Sequence, residues 1–202
     1  MVKILNCARG PHYFQPRKPV ALLPIKSRSN APSSLTLNVS STGGNGGAAG
    51  AFTSTGGLVQ PITGGNGGGT LSSAVGSLSG NGAVTINATA IGGNGGAADI
   101  AAGVSAGQGG VAQLGQVIGQ SGTGVVSVSG TAIGGNGQYG ANELLTNSVS
   151  GQTAGSLVLT QMAEAGNGVV GGNAVSELNY TTSESSGLTL LSQAEGGINQ
   201  HR

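Results

Sequence analysis

Aromatic, charged and sulfur-containing residues are all scarce in this chain. Trp is absent, Phe and Tyr number two and three, and only 6% of the 202 residues are charged. No aromatic core is available to hold a compact fold, so aliphatic side chains must fill the interior. The single cysteine, Cys7, excludes an internal disulfide framework and a zinc site built from several cysteines.

Basic residues and histidine are missing from almost the whole length. No Lys or Arg lies between Arg28 and Arg202, and no His lies between His12 and His201. Neutralising phosphates requires cations, so no nucleic acid is expected as a partner. Activating a nucleophile requires a base, and glycoside cleavage requires a carboxylate pair, so we expect no enzyme. The scattered glutamates are interpreted as solvated charges that discourage aggregation: Glu164, Glu177, Glu184 and Glu195. No apolar run approaches the ~20 residues of a membrane span.

Glycine, in contrast, supplies 42 residues, which are distributed unevenly. Residues 1 to 33 hold five of the six prolines, six of the seven basic residues and one glycine. We place a boundary there, with a basic leader at 1–33, expected to be disordered, and a repeat domain at 34–200. Prolines bracket the short apolar stretch 20–23, so no signal peptide is visible, and we expect a fragment of a larger chain or a misassigned start.

Five windows of 13 residues share one pattern beyond that boundary. They begin at Leu35, Val84, Val126, Leu157 and Leu188, and their first and third residues are always aliphatic. The tenth position is always glycine: Gly44, Gly93, Gly135, Gly166 and Gly197. A degraded sixth copy ends in Gly-Gly-Asn-Gly-Gly at 64–68. The window starts lie 49, 42, 31 and 31 residues apart, so the repeat drifts in length.

Each window predicts a strand followed by a turn. Aliphatic and small polar residues alternate at the start, as in a half-buried strand, and Gly-Gly-Asn-Gly suits positive backbone dihedrals. Stacked windows would place one aliphatic row inside: Leu37, Ile86, Val128, Leu159 and Leu190. We therefore predict an all-β solenoid, a parallel β-helix or a β-roll-like fold. The spacers suit short strands or tight coils, or, at 140–146, a helical turn capped by Asn142.

Four windows keep an asparagine between the turn glycines: Asn45, Asn94, Asn136 and Asn167. Two hypotheses account for them. Each Asn favours its own turn, because Asn tolerates the left-handed backbone region. Alternatively, the side chains hydrogen-bond along the stack as a ladder. Both roles are structural.

The sequence contains two incomplete ligand-binding motifs, one for calcium and one for a dinucleotide. A calcium roll needs a carboxylate two residues after the glycines, but Ala97 occupies that position and Asp99 comes two places late. Residues 135–140 match the G-x-G-x-x-G of dinucleotide sites, a match expected in so glycine-rich a chain. A P-loop is excluded because no lysine follows Lys26. We expect neither a metal nor a cofactor.

The Gly-Gly-Asn-Gly units between short aliphatic strands resemble repeat regions of bacterial surface and secreted proteins. The resemblance is to autotransporter and filamentous-haemagglutinin-like passenger segments, and more weakly to mycobacterial glycine-rich repeat proteins. It implies an extracellular or cell-surface structural or adhesive module, with an unknown surface ligand or self-association. Two alternatives remain open: a solenoid that binds a regular lattice such as ice or polysaccharide, and a disordered glycine-rich linker.

Overall fold

A computed structural model describes residues 26–29, 34–49, 63–98 and 105–200, and this part of the chain is all-β, with no helix. The rest of the expected leader lies outside the described residues. The strands are β1 (Lys26–Ser29), β2 (Leu35–Thr42), β3 (Thr70–Leu78), β4 (Val84–Ile91), β5 (Ala112–Gln120), β6 (Val126–Ile133), β7 (Gly137–Tyr139), β8 (Glu143–Thr146), β9 (Val149–Gln152), β10 (Ser156–Glu164), β11 (Gly168–Val170), β12 (Ala174–Glu177) and β13 (Gly187–Glu195).

All these strands pair in parallel, and from β1 to β6 and again from β9 to β10 the chain alternates between two main sheets. Strand β13 follows β10 in the same sheet, with no described strand of the other main sheet between them. Layer A is the four-stranded sheet β1-β3-β5-β9, and layer B is the five-stranded sheet β2-β4-β6-β10-β13. Neither sheet is closed on itself. Two small sheets, β7-β11 and β8-β12, follow the same order. Successive repeats therefore supply successive strands, and the segment that could begin a helical turn is instead β8.

The five windows form the five strands of layer B in unbroken register. Leu35 pairs with Val84, Val84 with Val126, Val126 with Leu157, and Leu157 with Leu188. The drift in window spacing lies in the connections between strands, and each pairing keeps the windows aligned residue for residue. Strand pairing is thus independent of the length of the connections.

The main core lies between the layers, and its shape is asymmetric. The expected row stands in one register, with Ile86, Val128 and Leu159 fully buried. Leu37 is partly buried at one end of the row, while Leu190 is 39% exposed at the other. Layer A faces this row with paired glycines at 76, 119 and 151. A Cβ on Gly119 would stand 2.8 Å from Val128 Cγ2, so these glycines make room for the aliphatic side chains of layer B.

The core narrows along each strand toward its glycine-rich end. On β4 the inward residues run Val84, Ile86, Ala88 and Ala90, and all four are buried. A second, smaller cluster continues this trend with Ala90, Ala112, Ala132, Leu145 and Ala163. Shrinking side chains let the two layers approach each other, until beyond the strand ends glycine backbones meet directly.

Candidate functional site

The glycine-rich segments join into a block held by backbone hydrogen bonds. Within one layer the bonds recur every third residue: the N–H groups of Gly43, Gly46 and Ala49 donate to the carbonyls of Ile91, Asn94 and Ala97, at 2.8 to 2.9 Å. A period of three is that of extended polyproline-II backbone, which forms no hydrogen bonds within its own segment. Its polar groups must therefore find partners on neighbouring segments.

Bonds also cross between the layers in this block. Gly93 N–H donates to Gly68 O at 2.9 Å, Gly110 N–H donates to Gly93 O at 2.8 Å, and Gly135 N–H donates to Gly110 O at 2.9 Å. The same zigzag continues through Ala141, Gly166 and Gly172 to Gly197. In these glycine-rich segments, main-chain hydrogen bonds therefore hold the two layers together, whereas between the strands the layers are held together by side-chain packing. We call residues 43–47, 64–68, 92–96, 107–110, 134–141, 165–172 and 196–197 the glycine block.

The expectation that Gly44, Gly93, Gly135, Gly166 and Gly197 serve a left-handed turn is wrong. None of them has a φ between +20° and +160°, and the one described non-glycine residue with positive φ is Asn147, outside the motif. Glycine is required at four of these positions because the backbone of a neighbouring repeat lies too close to leave room for a Cβ. These five glycines form a column across the repeats. A Cβ on Gly93, Gly135, Gly166 or Gly197 would stand 1.9 to 2.1 Å from the carbonyl oxygen of the equivalent glycine in the preceding repeat. Only Gly44, at the end of the column, has open space.

The asparagines form a column along the edge of this block. Asn45 Oδ1 accepts from Asn94 N–H at 2.9 Å, Asn94 Oδ1 from Asn136 N–H at 2.8 Å, and Asn136 Oδ1 from Asn167 N–H at 2.7 Å. Asn167 Oδ1 accepts from Ile198 N–H, where the column ends. Of the two hypotheses, the ladder describes these contacts, although each rung joins a side chain to a backbone. A shallow groove runs beside the column, lined also by Ile91, Ile133 and Glu164.

The outer face of layer B carries a regular array of small polar side chains. Three columns cross strands β2, β4 and β6: Thr36, Thr85 and Ser127; Asn38, Asn87 and Ser129; Ser40, Thr89 and Thr131. All nine are uncharged and at least partly exposed. Asn87 Nδ2 donates to Asn38 Oδ1 at 2.8 Å, so neighbouring strands hold each other's side chains in place. On β10 the array ends, because Val158 and Met162 replace the polar residues of the outer columns.

One carboxyl group among the described residues is buried, and the repeat pattern does not predict it. Glu143 opens β8 and is 1% exposed. Its Oε1 accepts from Ala112 N–H at 2.8 Å, whereas its Oε2 is buried without a hydrogen-bond partner. Burial raises its pKa to about 7, against the lowering effect of the Ala112 hydrogen bond. The four glutamates predicted to be solvated differ from it: three are exposed, and Glu164 is partly buried.

Gln161 is a second buried polar residue that the repeat pattern does not predict. It stands at an inward position of β10, where the equivalent residues are Ala88 on β4 and Gly130 on β6. Its Oε1 accepts from Ser148 N–H at 2.7 Å, and its Nε2 donates to Leu145 O, Ser176 Oγ and Glu177 O. It thereby satisfies the backbone at the bend between β8 and β9, around Asn147.

Within the described residues, no three His, Cys, Asp or Glu side chains are grouped so that they could hold a metal ion. That same part of the chain has no helix with the length and hydropathy required to cross a membrane. No protein-family model matches the sequence, and no curated protein or solved structure shows a significant similarity to it.

Proposed function

We propose that residues 34–200 form a β-solenoid that serves as a non-catalytic structural or adhesive module of a bacterial surface or secreted protein. The observation that carries this proposal is the unbroken parallel register of the five repeat windows in layer B. Stacked repeats that contact only their neighbours produce an elongated body with long lateral surfaces, which suits a stalk or an adhesive surface. The bacterial origin and the surface location rest on the resemblance of the repeat units alone.

The paired strands argue against the alternative of a disordered glycine-rich linker, and solution measurements separate the two. A solenoid gives strand-dominated circular dichroism, an elongated shape in small-angle scattering and slow digestion by a broad-specificity protease such as proteinase K. A linker gives coil-like dichroism and immediate digestion. Trypsin is uninformative, because no Lys or Arg lies between Arg28 and Arg202. Coil-like dichroism of the intact chain would remove the basis of the proposal.

Lattice binding is the second candidate, and the polar array on layer B favours it. The uneven spacing of the windows is an argument against a regular surface, but the spacing changes only in the connections, and the nine array residues keep strict register. Successive strands place equivalent side chains ~4.8 Å apart, so the array offers repeated hydrogen-bonding groups to a repeating ligand such as a polysaccharide or ice. Asn87 stands at its centre.

Binding to insoluble cellulose and chitin, together with thermal hysteresis, tests this second candidate. Asn87→Lys places a charge in the middle of the array, and we expect it to abolish retention on the polymer or activity at the ice surface. Gln113→Lys is the matched control, because Gln113 is exposed on the outer face of layer A. Equal losses in both variants would argue that binding does not use this face.

A further inference from the structure

The two ends of the strand stack are unfinished in complementary ways. Strand β13 pairs with β10 along one edge, and among the described strands none pairs with its other edge. All nine of its residues are exposed. Leu188 is 40% and Leu190 39% exposed, whereas their equivalents on β10, Leu157 and Leu159, are 1% and 0% exposed. The core row therefore ends on uncovered leucines.

The opposite end presents the surface that would continue this row. Among the described strands, β2 pairs with β4 alone, and β1 pairs with β3 alone. Layer A runs from β1 to β9, whereas layer B runs from β2 to β13. No described layer A strand lies between β10 and β13, so the last repeat contributes a strand to layer B alone among the main sheets. The next position beyond β13 is a layer B strand, and β2 of a second copy could occupy it.

Sequence and charge agree with this fit. Nine positions separate Leu35 from Gly44, and nine separate Leu188 from Gly197, so both the aliphatic row and the glycine column would continue in one register. The two ends also carry opposite charge. The sequence of strand β1 includes Lys26 and Arg28, whereas the other end contains three exposed glutamates, Glu177, Glu184 and Glu195. Opposite charges steer association and select the orientation.

We propose that copies of this chain stack end to end, with β13 of one copy pairing in parallel with the β2 of the next. Leu188 then lies beside Leu35 of the second copy, Leu190 beside its Leu37, and Gly197 beside its Gly44. The two contacting surfaces differ, so the contact is heterologous; each added copy leaves a new free end, and assembly proceeds to filaments. The inference concerns the ends of the stack and is independent of what the outer face binds.

Single substitutions at the two ends test the contact in the 202-residue chain. Leu190→Lys places a charge in the row that the next copy would cover, and charges that point inward on edge strands block pairing. Thr189→Lys is the matched control, because it adds the same charge to the outer face of the same strand. By sedimentation velocity, we expect the average mass of wild type and Thr189→Lys to rise at least ~2-fold with concentration, by mass action. Leu190→Lys should remain at 19.2 kDa.

A variant at the other end provides a stricter test. Leu35 N–H donates to Ala83 O and alternate residues follow it, so the N–H of Asn38 faces the free edge of β2. Asn38→Pro removes that donor without touching the core, and circular dichroism checks that it folds. Each variant alone should be monomeric, while a mixture of Leu190→Lys with Asn38→Pro should give a heterodimer and nothing larger. A monomeric wild type at every concentration, or assembly of Leu190→Lys equal to that of Thr189→Lys, would overturn the proposal.

Discussion

Alanine substitutions at two equivalent glycines separate close packing from turn geometry. Gly44 and Gly93 occupy the same position in neighbouring repeats, so a requirement for a particular backbone dihedral would affect both alike. Their surroundings differ. A Cβ on Gly93 would stand 2.1 Å from Gly44 O and 2.7 Å from Gly44 C, whereas a Cβ on Gly44 would meet nothing within 4 Å. Gly93→Ala should therefore destabilise the protein, and Gly44→Ala should not.

The magnitude follows from the kind of atom that the new methyl group meets. Overpacking a close-packed site costs about 1 to 3 kcal/mol, and a backbone carbonyl held on both sides cannot rotate away, so we expect the upper part of that range for Gly93→Ala. Gly44→Ala should stabilise by about 0.4 to 1 kcal/mol, because alanine restricts the unfolded chain. That entropic gain applies to both variants and cancels in the comparison.

Thermal unfolding followed by far-ultraviolet circular dichroism measures the difference. With ~2 to 4 °C per kcal/mol for a chain of this size, the Tm of Gly93→Ala should lie roughly 10 °C below that of Gly44→Ala. Gly135→Ala, whose Cβ would stand 2.0 Å from Gly93 O, should behave like Gly93→Ala. Equal losses at Gly44 and Gly93 would refute the close-packing explanation and restore the turn.

Substitutions at three further residues probe the polar contacts. Glu143 has a pKa of about 7 in the folded chain against 4.5 as its ordinary value, so folding favours its protonated form. The stabilisation is full below pH 4.5 and falls by about 3 kcal/mol as the pH rises through 7. Urea titrations at several pH values should show this dependence in the wild type and not in Glu143→Gln. Asn136→Ala leaves the Asn167 N–H without its acceptor and should cost about 1 kcal/mol in urea unfolding, whereas Asn136→Asp keeps the acceptor and should cost less; equal costs would count against the ladder. Gln161→Leu leaves the Ser148 N–H without its hydrogen-bond acceptor and should lower the free energy of unfolding by about 2 kcal/mol. An unchanged free energy of unfolding would show that water replaces the side chain.

The register of layer B could be predicted from the sequence because its physical cause is local and repeated. In a strand, residues two apart share a face, so a slip of one position would turn every aliphatic side chain of a window to the solvent. The first and third residues of each window therefore fix both the inward face and the alignment with the next window. The row from Leu37 to Leu190 needed no information beyond this. Its exposed end at Leu190 could not be foreseen, because it depends on what covers β13.

The role of the glycines could not be predicted from the same pattern. The Gly-Gly-Asn-Gly sequence has a local explanation, a left-handed turn, and a non-local one, the approach of a distant backbone. Only the second applies, and it involves pairs such as Gly93 and Gly68, whose neighbourhood depends on the complete stack. Glu143 is a similar case. Its carboxylate is the acceptor for the N–H of Ala112, which precedes Val117, the residue at which the pairing of β5 with β9 begins.

The glycine block also bears on the regularity of the outer face. Aliphatic rows tolerate some sliding between neighbouring strands, because hydrophobic contact is non-directional. Hydrogen bonds every third residue and one asparagine rung per round are directional, and they fix each round against the next in distance and in phase. The polar columns of layer B lie on strands that continue into the glycine block, so their side chains have the same regular spacing. The repeats are 49 and 31 residues apart at the extremes, so the connections differ in length by up to 18 residues without changing this spacing. A regular surface therefore requires regularly spaced asparagine contacts and does not require repeats of equal length. Under the lattice-binding proposal, removing the contacts at Asn94 and Asn136 should weaken binding to the lattice before it unfolds the chain.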